Sequence, residues 1–141
     1  MLNSSVFVYN VRMQANALTG KKILWVEDDV FLSDIITKKL SKYNPTVLHA
    51  KNGDEVFAIL KTDKPDVVVL DILLPGIDGF EILKQIKADA NTKALPVVLL
   101  SNLNQKSDIE KGAMLGAKKF LVKALLTPDE IMEEVGKVLG V

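Results

Sequence analysis

The sequence predicts an α/β fold: a parallel sheet of five strands, flanked by five helices, in three α/β/α layers. Three observations predict it. Short apolar, β-branched runs recur along the chain, the pattern of strands buried on both faces. Each run is followed by apolar residues at helical spacing. Helix-start signals and Pro or Gly breakers fall between the two kinds of segment.

Taken in order, residues 23–26 (Ile-Leu-Trp-Val) form the first strand and run straight into Glu27-Asp28-Asp29. Leu32, Ile35, Ile36 and Leu40 then recur on one helical face, and Asn44-Pro45 stops that helix. Residues 46–48 make a short edge strand. Asn52 and Glu55 read as a capping box, with Val56, Ile59 and Leu60 facing inward. Residues 67–70 are the third strand and end at Asp71, before the turn Pro75-Gly76. Asp78 and Glu81 start a third helix, whose apolar face is Phe80, Leu83 and Ile86. Residues 97–100 are the fourth strand and end at Ser101-Asn102. A more polar helix spans 105–115, closed by Gly116. Residues 120–122 are the fifth strand and end at Lys123. Thr127, Pro128 and Glu130 open the last helix, completed by Ile131, Val135, Val138 and Leu139.

Residues 1–20 read as an amino-terminal extension, flexible or arm-like. Within it, residues 6–9 have the composition of a short strand, and 14–18 that of added helix. Residues 21–141 make one domain, which suits a chain of 141 residues. Equal numbers of acidic and basic residues give a net charge of zero, so composition offers no case for direct nucleic-acid or membrane binding. No cysteine is present, which excludes disulfides and thiolate chemistry and fits a cytoplasmic protein. No apolar run approaches the roughly 18 residues needed to span a bilayer.

In open α/β sheets, ligands bind beyond the carboxyl ends of the strands. Here those ends carry Glu27, Asp28, Asp71, Ser101 and Lys123. Packing does not ask for an acid at Asp71, since burying an unpaired carboxylate costs several kcal/mol, on the order of any unpaired buried ion. Three neighbouring carboxylates repel one another, and a hard cation such as Mg²⁺ relieves that repulsion. A carboxylate beside such a cation can attack phosphorus and form an aspartyl phosphate. Lys123 would neutralise charge on the phosphoryl oxygens, and Ser101 would donate a hydrogen bond to them. Asp29 is better read as the residue that starts the first helix.

This arrangement closely resembles the receiver domain of two-component response regulators, over residues 22–139. The stretches that carry the resemblance are 23–29 (ILWVEDD), 69–79 (VLDILLPGIDG), 99–101 (LLS) and 120–123 (FLVK). The resemblance implies a flavodoxin-like fold with strand order 2-1-3-4-5. It makes Asp71 the phosphoacceptor and a ligand of Mg²⁺, Asp28 a direct ligand, Glu27 a ligand through water, and the Leu73 backbone carbonyl a further ligand. Ser101 becomes the switch hydroxyl, Phe120 the switch aromatic, and Lys123 the partner of the phosphoryl group. The implied partners are a sensor histidine kinase or histidine phosphotransfer protein, an unidentified downstream protein, and a second copy in a phosphorylation-linked homodimer. The domain would catalyse its own phosphorylation and slow dephosphorylation, remodelling the face of the fourth helix, fifth strand and fifth helix.

The chain departs from the family pattern in places. Ala124 stands where a cis-proline is usual, which puts the reach of Lys123 in question. Asn102 stands where a small residue is usual, and its bulk is expected to narrow access to Asp71. Leu73 and Leu103 are apolar where polar side chains are frequent, and are expected to hold off an attacking water. No output domain follows Val141 in this sequence, which reads as either a stand-alone receiver signalling by contact or a fragment of a longer chain.

His49, the one histidine, reads as a surface residue away from the acids, and Trp25 as core. Three rival readings compete with this one. A flavin or nucleotide module needs a phosphate cradle after the first strand, where the acids would repel phosphate. An aspartyl phosphatase carries its nucleophile after the first strand, not the third. A degenerate receiver, acting as a phosphorylation-independent interaction domain, is motivated by Ala124 and Asn102.

Overall fold

The computed structural model describes residues 13–141. The strand expected at 6–9 lies outside the described residues. Among the described residues five strands alternate with five helices: β1 (Lys22–Val26), α1 (Val30–Leu40), β2 (Thr46–Ala50), α2 (Gly53–Thr62), β3 (Val67–Leu70), α3 (Gly79–Ala88), β4 (Val97–Ser101), α4 (Lys106–Met114), β5 (Lys119–Val122) and α5 (Pro128–Leu139). Every strand pair is parallel, and the order is β2-β1-β3-β4-β5. This is the flavodoxin-like order the sequence resemblance implied.

Side chains alternate across the strands, so the sheet feeds two cores. Ile23, Trp25, Val67, Val69, Val98 and Leu100 pack under α1 and α5, against Ile36, Leu40, Ile131 and Val135. Leu24, Val26, Val68, Leu70 and Leu99 pack on the opposite face with Val56 of α2 and Phe80, Leu83 and Ile86 of α3. The helix starts follow the sequence. Asn52, Asp78 and Thr127 each accept a hydrogen bond from the backbone N–H three residues on. Of these three, Thr127 alone closes a reciprocal box, with Glu130; the Glu55 carboxylate instead accepts from the Lys51 N–H.

The expectation of a flexible or arm-like extension fails for residues 13–20. Leu18 is fully buried in the core beneath α1 and α5. The Asn16 and Leu18 N–H groups donate to the carbonyls of Lys42 and Tyr43, both at 2.9 Å. The expected helix over 14–18 is replaced by turns, with Asn16 in the left-handed region (φ 62°). Burial of one leucine outweighed local helix propensity. Among the described residues no helix is long and apolar enough to cross a membrane.

Candidate functional site

Register brings the acids together. Val26 pairs with Leu70, and Leu70 with Leu99. One further rung continues past the strands: the Glu27 N–H donates to the Ala50 carbonyl and the Asp71 N–H to the Val26 carbonyl, each at 3.0 Å. Glu27 and Asp71 are thereby fixed by backbone at the carboxyl edge, and both are buried. Asp28, between them and solvent, is exposed. Asp29 accepts from the Leu32 N–H and caps α1. Gly79 lets α3 start close behind Asp71, because a Cβ there would collide with the Asp71 carbonyl.

Lys123 leaves β5 on a single 3₁₀ turn (Lys123–Leu125). Its Nζ lies 2.6 Å from Glu27 Oε2 and 2.8 Å from Asp71 Oδ2. The other Asp71 oxygen accepts from the Leu73 N–H at 3.3 Å. No cis peptide occurs among the described residues, so the Lys123–Ala124 bond is trans, and the lysine reaches the acids all the same.

One ammonium serves two carboxylates, and the titration of Lys123 and Glu27 reflects it. Burial pulls the Lys123 ammonium down, but the hydrogen bonds and charges of Asp71 and Glu27 outweigh burial and hold it above its ordinary value. Glu27 is left short. Its burial raises the carboxyl, Asp71 adds to the rise, and the shared hydrogen bond from Lys123 does not cancel them. Carboxylate oxygens of Glu27, Asp28 and Asp71 lie within 4.8 Å of one another. Three carboxylates against one ammonium leave two negative charges to be matched, which suits a divalent cation with oxygen ligands. Asp28 is the exposed member of the three.

Ser101 ends β4 in register with Val122, and Phe120 lies two residues earlier on β5, paired with Leu99. Ser101 is fully buried, and its hydroxyl accepts from the Leu103 N–H at 3.4 Å. Phe120 is half-buried against α4. A Cβ at Gly112 would stand 3.2 Å from its ring.

Two contacts were not expected. His49 Nε2 donates to the Glu27 carbonyl at 2.8 Å and lies 3.1 Å from Ser33 Oγ. The reading of His49 as remote from the acids is thus corrected: it pairs with Trp25, two residues before Glu27. The second contact is Asn102 Oδ1, which accepts from the Ala124 N–H at 3.0 Å. The departures at 102 and 124 were visible in the sequence, but their contact is not readable from spacing.

Residues 23–136 match the family model for the response regulator receiver domain. The chain is 34% identical to protein PilH of Pseudomonas aeruginosa over 119 residues, 84% of this chain and 98% of PilH. It is 35% identical to the transcriptional regulatory protein AfsQ1 of Streptomyces coelicolor over 101 residues, 72% of this chain but only 44% of AfsQ1. The phosphorylated cyanobacterial phytochrome response regulator RcpA superposes with a TM-score of 0.71 at 29% identity, over 83% of this chain and 89% of that one.

Proposed function

This chain belongs to the response regulator receiver domain family, and from that premise we propose that it is a phosphorylation-activated switch of a two-component system. Asp71 takes the phosphoryl group. One of its carboxylate oxygens forms a bond to phosphorus as the bond from phosphorus to the donor's histidine nitrogen breaks, and the imidazole leaves with the electron pair. The observation that carries this reading is the Lys123 ammonium bound to both Asp71 and Glu27. It stands where negative charge on the phosphoryl oxygens would develop.

Mg²⁺ would be held by Asp28 and Asp71, by Glu27 through water and by the Leu73 carbonyl, and would neutralise the phosphoryl oxygens. The Ser101 hydroxyl exchanges the Leu103 N–H for the phosphoryl group. Phe120 follows, and the face formed by α4, β5 and α5 changes shape, a population shift biased by one new charged group. A histidine kinase or phosphotransfer protein has an apolar rim to dock on: Phe31 is 81% exposed, and Val30, Leu73 and Leu125 are also more than half exposed. The remodelled face would serve a downstream protein or a second copy.

The test is intact mass after incubation with Mg²⁺ and acetyl phosphate, with Asp71→Asn in parallel. One added phosphoryl group on the wild type, slow to decay because Leu73 and Leu103 exclude water, and none on the variant, is the expected result. Absence of an adduct on the wild type would instead favour the phosphorylation-independent interaction domain.

A further inference from the structure

We propose that Asn102 is a positioning residue for Lys123, acting through the backbone amide of Ala124. The inference rests on the phosphoryl-switch reading, which gives the position of Lys123 its importance. Three observations carry it. The loop after β5 is held weakly by its own contacts: the one bond closing its 3₁₀ turn, from the Leu126 N–H to the Lys123 carbonyl, is long at 3.4 Å. Nor is the loop held by burial, since Ala124 is exposed and Leu125 is 74% exposed. Yet from this loop Lys123 makes two short contacts with buried carboxylates. An ammonium on a flexible four-carbon stem keeps such a geometry only if its backbone is held.

Asn102 supplies the hold. It follows Ser101, which is fully buried and paired in register with Val122, so its own backbone is anchored next to β5. Its Oδ1 reaches the amide one residue beyond Lys123, at 3.0 Å. That amide exists because residue 124 is not proline, and Asn102 is the side-chain acceptor it meets. Asn102 therefore ties the loop that carries the hydroxyl to the loop that carries the ammonium.

The tie and the bulk of Asn102 make opposite predictions for Asn102→Ala. If bulk dominated, the smaller side chain would open the way to Asp71 and speed phosphorylation. If the tie dominates, phosphorylation by acetyl phosphate slows by about threefold to tenfold, the worth of one net hydrogen bond. Exchange of the Ala124 amide proton, followed by NMR without Mg²⁺ or phosphodonor, accelerates by about the same factor. Asn102→Asp keeps an acceptor of the same shape and restores amide protection. In an Ala124→Pro background no N–H remains to be held, so Asn102→Ala has no further effect on phosphorylation. Unchanged exchange of the Ala124 amide in Asn102→Ala overturns the tie. Faster exchange with phosphorylation unchanged or quicker overturns the positioning role. A wild type that takes no phosphoryl group refutes the switch reading, and amide exchange still decides whether Asn102 holds the loop.

Discussion

Lysines sit among carboxylates at both ends of the sheet, and the two ends treat them differently. At the amino end Lys22 Nζ lies 2.8 Å from Asp63, with about a third of each side chain exposed. Its backbone N–H donates to Asp66 at 2.7 Å. At the carboxyl end Lys123 lies at equally short range from Glu27 and Asp71, but the carboxylates are 4% and 7% exposed. Distance does not separate the two ends; solvent does. An exposed pair contributes about 1 kcal/mol at most. A buried set costs several kcal/mol per ion in lost hydration, roughly repaid only when every partner is present. The amino end is a fastening. The carboxyl end is a concentration of charge that stability alone does not call for, and chemistry does.

Lys123→Met tests the contrast hardest. It leaves Glu27 and Asp71 buried without a counter-charge, and is expected to destabilise the fold by about 3–5 kcal/mol in urea unfolding. A loss as small as that of an exposed pair would erase the distinction between the ends.

Glu27→Gln sharpens it through pH. Burial holds the folded Glu27 carboxyl above its ordinary 4.5. A carboxyl raised in this way binds its proton more tightly in the folded state. Its contribution is therefore full below 4.5 and is lost as pH rises through the folded value. The wild type should lose stability relative to Glu27→Gln as pH climbs from 4.5 towards neutrality. A stability difference independent of pH would show that Glu27 is no worse off than a surface acid.

The smallest effect belongs to the amino end. Asp63→Ala should cost less than about 1 kcal/mol and shrink further in salt, with phosphorylation of Asp71 untouched.

The parts of this molecule legible in the sequence are those governed by near neighbours. Strand and helix alternate as the apolar runs imply, and Asn52, Asp78 and Thr127 cap the helices they precede. Glu27, Asp28, Asp71 and Lys123 converge because each ends or follows a strand of one parallel sheet, so order along the chain translates directly into place on an edge. Illegible were contacts that depend on how loops lean. Asn102 and Ala124 looked like two separate departures and are two ends of one hydrogen bond. His49 looked peripheral because its strand is at the edge, yet register sets its ring under the Glu27 carbonyl. Leu18 lies among turn-forming residues with no periodicity to mark it, and only the cluster it joins with Tyr43 and Trp25 reveals it as core.

Leu18 also defines a load path. Tension applied at Met13 meets the Asn16–Lys42 and Leu18–Tyr43 hydrogen bonds before it reaches the sheet. Those bonds run alongside the chain like rivets on a seam, with the leucine side chain as the bolt behind them. A pull from that side would strip the Met13 packing and then these fastenings. Only after Leu18 had left the cluster it shares with Trp25 would the pull arrive at β1, the strand that presents Glu27 and Asp28.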